Sequence, residues 1–560
     1  MSAYGAIRKV TMRDNFVEYI ERSIRDHWSL SAFSDYLAEP RSYREVASQI
    51  YRLHAFFKVS GLGRGDKVAL LGRNSANWAT CYLAVVSYGA TVVPILPDFH
   101  PSDIENILEH SDSVFLFTTE SFFSRLDASK TGGLKAVFSL GDFNPLFESK
   151  GFDFAGLSDR SRELFESSYR PRLDPEAFTF EPILSEELAA IVYTSGTTGF
   201  SKGVMTTHAN IISNLVYARE NVHLKNGDTI LSFLPLSHTF GNAFEFIFPF
   251  SRGCHITFLG KMPTTGLLIE AFSAIKPRMV LSVPLVIEKI YYKQVKPLLE
   301  SPKMRTLTRL PFIRRIVYAK VRQKILGFFG GKVFEVIIGG ASFNPEVEDF
   351  LTRIRFPFTV GYGMTECAPL IGYADWRKRG KASSGRLVDR MEIKIHGSPL
   401  LGEICVRGEN VMKGYYKNPE ETAKTIDAER WLHTGDLGSI GPDGSIYIRG
   451  RSKTMILGAS GQNIYPEEIE AKLNNLPLVA ESLVLEEEGK LTALVHPDLA
   501  EAERQGVAEE AIAEMMEQNR LALNKQLPEY GRIARIKLHA EEFMKTPTNK
   551  IKRFLYAPKN

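Results

Sequence analysis

The sequence predicts an α/β protein: a large region of parallel-sheet units, a β-rich segment, and a smaller α+β unit at the C-terminal end. Three observations carry this. Short apolar runs alternate with helix-period segments through the first half of the chain, as parallel strands joined by crossover helices require. Around residues 385–450 the character changes to short strands parted by Gly, Pro and Asp turns. Past "RGRSK" at 449–453 a smaller set of helices and strands begins, which places a domain boundary between 1–451 and 452–560.

The elements follow in order. Residues 41–59 have helical periodicity, and "GLGRGD" breaks them. "KVALLG" is a short buried strand, 77–88 an apolar helix and "ATVVPIL" the next strand. "SVFLFTT" at 113–119 and "KAVFSL" at 135–140 continue the habit. It resumes with a helix near 208–221, strand "TILSFLPL", a helix near 242–250, strand "HITFL", a helix near 265–275 and strand "RMVLSV". The β-rich segment holds "MEIKIHG", "GEICVRG" and "SIYIRG". The last unit has a helix at 466–475, strands at 481–486 and 491–496, a long helix near 507–526 and a basic tail.

Composition excludes several classes. Apolar residues are 44% and charged residues 24% of 560, which is ordinary for a globular protein. The net charge of +4 is too small to mark a nucleic-acid binder, so any basic surface is local. Cys81, Cys254, Cys367 and Cys405 form no CxxC pair, which fits reduced thiols better than disulfides or a zinc site. The N-terminal stretch lacks a signal-peptide core, and no uncharged apolar run approaches the ~20 residues a spanning helix needs. A cytoplasmic protein is expected.

The stretch "YTSGTTGFSKG" at 193–203 has the makings of a phosphate cradle. Glycine admits unusual dihedrals and close backbone approach, hydroxyls add donors, and a lysine supplies a point charge. Alone, it reads equally as a plain surface turn. It is accompanied by "IIGGASFNP" at 337–345, "VGYGMTEC" at 360–367, "LHTGDLG" at 432–438, "RGRSKTMILGASGQNIYPEEIE" at 449–470 and "TPTNKIKR" at 546–553. In this order and spacing the set resembles the adenylate-forming superfamily of acyl-CoA synthetases, luciferases and adenylation domains. Within it the chain looks most like the AMP-forming medium- to long-chain fatty acyl-CoA synthetases.

The resemblance implies a large N-terminal domain of two α/β subdomains plus a β-barrel-like subdomain, under a small mobile C-terminal domain. It implies ATP, Mg²⁺ and CoA as reactants or cofactors and a fatty acid as substrate. Matched motif by motif, Thr194, Ser195, Gly196, Thr197, Thr198 and Lys202 hold the β- and γ-phosphates. Glu366 is the Mg²⁺ carboxylate, and Thr365 contacts the α-phosphate. Gly340, Ala341 and Tyr362 form the adenine slot, where a tyrosine face can stack. Asp436 takes the ribose hydroxyls with Arg451 as its partner, and Lys550 stabilises charge at the α-phosphate. Lys453 is the hinge residue, after whose rotation the Ser460–Gly461 loop faces the incoming thiol. His238 lines the acyl pocket as a wall, since a carboxylate substrate needs no general base at neutral pH. The five phenylalanines of "FGNAFEFIFPF" lean toward a fatty acid.

Three positions depart from the family pattern: Phe200 stands in place of a proline, Thr454 in place of an acid, and Asn549 in place of a glycine. None removes a charge that the chemistry needs. A basic, acid-free run from Lys303 to Lys332, interleaved with apolar residues, reads as an amphipathic helix. It suits a membrane surface, making the protein peripheral, or an acyl carrier protein; a solvated face packed on the domain is the plain alternative. The rival functions are an acyl-acyl carrier protein ligase and a silent lipid-binding protein.

Overall fold

The computed structural model describes residues 16–131, 133–194, 201–341, 343–457, 462–546 and 550–556. Its largest sheet has eight strands, in the order Gly414–Tyr415, Lys202–Thr207, Leu188–Thr194, Thr91–Ile95, Lys67–Leu71, Ser113–Thr118, Ala136–Ser139 and Pro145–Glu148. The central strands are parallel and both edges antiparallel. A second sheet joins Thr229–Ser232, His255–Phe258 and Ser31–Asp35 in parallel, with Arg41–Ser42 antiparallel at its edge. A third, all-parallel sheet joins Met279–Ser282, Glu335–Ile338 and Phe358–Val360.

Local chemistry sets the helix ends. Ser42 caps Tyr43–Val59 in a reciprocal box with Glu45. Ser75 caps Ala76–Tyr88, which Gly89 ends in a left-handed conformation at φ 89°. Thr207 and Asn210 cap His208–Asn221, the helix that follows Lys202–Thr207. The expected helix at 242–250 is present but irregular: a π turn over Asn242–Ile247 lies between short α segments. Pro249 explains this, because it cannot donate within a continuous helix and is tolerated only in the first turn of a new segment. The strand "TILSFLPL" stops at Ser232, because the N–H groups of Phe233 and Leu234 donate to the Glu245 carboxylate instead of to a neighbouring strand. The basic run breaks before Pro311 into Pro302–Leu307 and Pro311–Phe328.

The β-rich segment forms two antiparallel sheets. One has three strands (Tyr362–Gly363, Leu370–Tyr373, Arg386–Leu387) and one has four (Met391–Ser398, Leu401–Gly408, Leu432–Ile440, Ile446–Arg451). At the C-terminal end, Val479–Glu487, Lys490–Pro497 and Arg535–Leu538 form a three-stranded sheet. The helices Pro466–Leu473 and Glu509–Asn524 contribute to the core of the same unit, a cluster of its own that includes Leu473, Val495, Met516 and Leu523. The N-terminal region has two large cores, one beneath the first two sheets and one around the all-parallel sheet. Among the described residues no helix is long and apolar enough to cross a membrane.

Candidate active site

The loops leaving the parallel pair Glu335–Ile338 and Phe358–Val360 emerge at the same edge, tied where Gly361 N–H donates to Ile338 C=O at 2.8 Å. The first carries Gly340 and Ala341, both exposed. Gly340 has φ 92° and nothing within 4 Å of a built Cβ, so glycine is required there by conformation and not by space. The second carries Tyr362, Thr365 and Glu366, the last two in a single 3-10 turn, Thr365–Cys367.

Tyr362 reaches across to the four-stranded sheet, where its hydroxyl donates to Asp436 Oδ2 at 2.7 Å. The tyrosine is only 6% exposed, so this polar link, more than an open ring face, is what it offers in the present arrangement. Asp436 and Arg451 are register partners on adjacent antiparallel strands. Their side chains meet, Arg451 Nε lying 2.9 Å from Asp436 Oδ1, and Arg451 Nη1 also donates to Thr434 C=O at 2.9 Å. Burial raises the pKa of Asp436, while Arg451, the Tyr362 hydroxyl and Lys550 oppose the rise.

Lys550 comes from the C-terminal unit to this same place. It keeps an exposed surface, yet the protein crowded around it lowers its pKa by desolvation. Arg451 adds to that effect, and Asp436 and Glu366 counter it. The turn that presents Lys550 is closed by two bonds to Thr546: Thr546 N–H donates to Lys550 C=O at 2.7 Å, and Lys550 N–H to the Thr546 hydroxyl at 3.2 Å. Three residues on, Arg553 pairs with the buried carboxylate of Glu470, whose pKa burial raises to about 7. That ion pair pins the Lys550 segment to the helix Pro466–Leu473.

Thr194 and Lys202 face each other in register on either side of residues 195–200. Ser195, Gly196, Thr197 and Thr198 lie outside the described residues, as do Phe200, Ser460, Gly461 and Asn549. Lys202 Nζ forms an ion pair with Glu421 and lies 5.1 Å from the centre of the Tyr415 ring. The Tyr415 hydroxyl donates to Glu366 Oε1 at 2.9 Å, so the lysine and the carboxylate share one aromatic scaffold.

His238 caps a short helical turn, its Nδ1 accepting from Phe240 N–H at 3.3 Å. Burial, with Lys550 nearby, lowers its pKa to about 4, which leaves the ring neutral at physiological pH. Its neighbours Ser237 and Thr239 line a narrow, mainly apolar cavity of about 30 Å³, with Val192, Leu215, Phe244 and Ile247. Ala368, just beyond the Glu366 turn, also borders it. Lys453 is exposed in the turn after Arg451. Next to it, the hydroxyl of Thr454 donates to Glu467 Oε1 at 2.6 Å.

The family model described as AMP-binding enzyme matches residues 20–416. The chain belongs to that family. Together with the acyl-CoA ligase relatives, this makes it an AMP-forming acid–thiol ligase, as the sequence leads one to expect. The peroxisomal long chain acyl-CoA synthetase 7 of Arabidopsis thaliana is 28% identical over 503 residues, covering 82% of this chain and 69% of the relative. A Rhodococcus jostii CoA ligase for a methyl-dioxo-octahydroindenyl propanoyl acid is 29% identical over 479 residues, covering 83% and 84%. In fold, the chain is similar to the anthranilate CoA ligase AuaEII in complex with anthranoyl-AMP, with TM-score 0.78, 20% identity and 98% and 97% of the two chains covered.

Several residues of this AMP-binding enzyme escape motif reading. Glu403 accepts from Gly435 N–H at 2.9 Å and sits 2.8 Å from His433 Nδ1, so it braces the turn that holds Asp436. Tyr415 and Glu421 hold Glu366 and Lys202. Glu245 lies buried in the phenylalanine-rich helix and shapes the segment leading to His238. A lone acid in an apolar run was the only available signal for Glu245; the others had none, because their partners are distant in the chain.

Proposed function

We propose that this ligase activates a medium- or long-chain fatty acid, joining it to AMP and then passing the acyl group to CoA. The observation that carries the reading is the seat of Lys550. A lysine from the C-terminal unit comes close enough to Asp436, Arg451 and Glu366 of the large region for each to shift its pKa. In the first half-reaction an acyl carboxylate oxygen attacks the α-phosphorus of ATP, the bond to the bridging oxygen breaks, and pyrophosphate leaves with the electron pair. Lys550 and Thr365 stabilise charge at the α-phosphate. Lys202 and residues 194–198 hold the outer phosphates. Asp436 and Arg451 orient the ribose; Gly340, Ala341 and Tyr362 border the base. The carboxylate oxygens of Glu366 suit Mg²⁺, which when bound would shield phosphate charge.

The acid needs no base, since carboxylates are ionised well below neutral pH. In the second half-reaction the CoA sulfur attacks the acyl carbonyl, AMP departs and the thiol proton passes to solvent. Division of the chain into 1–451 and 452–560, turning at Lys453, would withdraw Lys550 and bring Ser460 and Gly461 toward the thiol. The apolar cavity beside His238 supports a fatty acid. At about 30 Å³ it must widen for a long chain; its lining Phe244 packs on Phe240, ring centres 6.0 Å apart.

The helix Pro311–Phe328 supports a peripheral site on anionic lipid for this otherwise cytoplasmic enzyme. Phe312 is 76%, Leu310 57% and Ile316 44% exposed, among the exposed Arg314, Arg315 and Lys320. Pyrophosphate–ATP exchange tests the activation step. Exchange with fatty acids of one length range, falling about 10²–10³-fold in Lys550→Ala, is the expected result. Exchange untouched by that substitution would remove Lys550 from the mechanism. Exchange without CoA-dependent AMP release would make a carrier protein the acceptor.

A further inference from the structure

A second cavity, of about 310 Å³, lies away from the site described above. It is built from the helix Phe16–Asp26, the end of His208–Asn221 and the turns that precede the strands Thr229–Ser232 and His255–Phe258. His238 follows the other end of Thr229–Ser232, so the two sites sit at opposite ends of that sheet. Four cationic side chains, Arg22, Arg219, Lys225 and Arg252, line the cavity with a single carboxylate, Asp26. None of the three guanidinium groups forms an ion pair with a carboxylate among the described residues. Arg22 and Arg219 both lie against the Tyr19 ring, at 5.5 and 5.4 Å from its centre.

Two of the cations are held in place. Arg252 donates through Nε and Nη2 to Leu224 C=O at 3.1 and 3.0 Å, and Arg219 Nη1 donates to the backbone and side chain of Ser251. These contacts occupy one edge of each guanidinium and leave the remaining N–H groups without a protein anion. Burial lowers the pKa of Arg219, the neighbouring Arg252 and Arg22 lower it further, and Tyr19 and Asp26 oppose them. Like charges fixed together repel, and a bound anion relieves that repulsion. Guanidinium groups match phosphate oxygens in pairs, and Asp26 adds an acceptor for a hydroxyl group.

We propose that this cavity binds a phosphomonoester carrying hydroxyl groups, its phosphate among Arg22, Arg219 and Arg252 and a hydroxyl on Asp26. The proposal stands independently of the acyl substrate. The helix His208–Asn221 runs from the cavity to the Thr207 end of the strand Lys202–Thr207.

The test is equilibrium binding of labelled glucose 6-phosphate to the full chain, with glucose as control. Saturable binding is expected, weakened at least tenfold in Arg22→Glu and kept in Lys202→Ala. Arg22 is exposed, and an unchanged melting temperature would confirm that its variant folds. Binding lost in Lys202→Ala but kept in Arg22→Glu would assign the phosphate to the ATP site and overturn the proposal. A second arm uses phosphatidylcholine vesicles with and without phosphatidylinositol 4-phosphate, whose headgroup carries both a phosphomonoester and free hydroxyls. Arg22-dependent binding to the phosphatidylinositol 4-phosphate vesicles alone would identify the phosphomonoester as a lipid headgroup. Absence of binding in both arms would refute the site.

Discussion

At the scale of single residues, charge decides how this site behaves. Lys202 is already paired with Glu421, so phosphates bound there as proposed would have to displace a carboxylate. Glu421→Gln is expected to lower the KM for ATP about two- to fivefold, the ~0.5–1 kcal/mol of a partly exposed ion pair. Initial rates against ATP would check this, and an unchanged or higher KM would show that Glu421 positions the lysine. In the proposed mechanism Lys550 acts only when protonated, and burial holds its pKa below the ordinary lysine value. Pyrophosphate exchange is therefore expected to fall as pH rises through a point below the ~10.4 of a free lysine. Arg451→Gln removes a neighbouring positive charge, so the same alkaline limb should move upward even as the overall rate falls. An alkaline limb that stays put in that variant would belong to another group.

At the scale of elements, the legible and the illegible separate cleanly. The strands Lys67–Leu71 and Ser113–Thr118 and the helix Tyr43–Val59 follow directly from apolar period and caps. Lys202, Glu366, Asp436, Arg451 and Lys550 lie in local motifs whose composition is visible in the chain. What periodicity cannot express is pairing between remote segments: Tyr415 with Glu366, Glu421 with Lys202, Glu403 with His433. The early end of the strand after Thr229 was likewise hidden, because Glu245 lies beyond the strand itself. The helix Pro311–Phe328 was readable as basic and amphipathic, and its outward Phe312 gives that reading a test. Arg314→Glu with Arg315→Glu should cut co-sedimentation with anionic vesicles at least tenfold, while exchange with a soluble fatty acid holds. Equal sedimentation of both proteins would leave the helix a solvated face.

At the scale of the whole molecule, catalysis depends on how two bodies meet. A direct bond between them is Asn344 Nδ2 donating to Ala471 C=O at 3.2 Å. The proposed rotation of the C-terminal unit between half-reactions would break that bond. The same unit has a hydrophobic core that shares no residue with the two large N-terminal ones. Separate cores need not lose order together. Scanning calorimetry of the free enzyme is expected to resolve two heat-absorption peaks, the smaller from residues beyond about 455. A non-hydrolysable acyl-adenylate mimic that touches both Asp436 and Lys550 should draw those peaks together. One sharp peak in its absence would mean that the two bodies are already thermally welded.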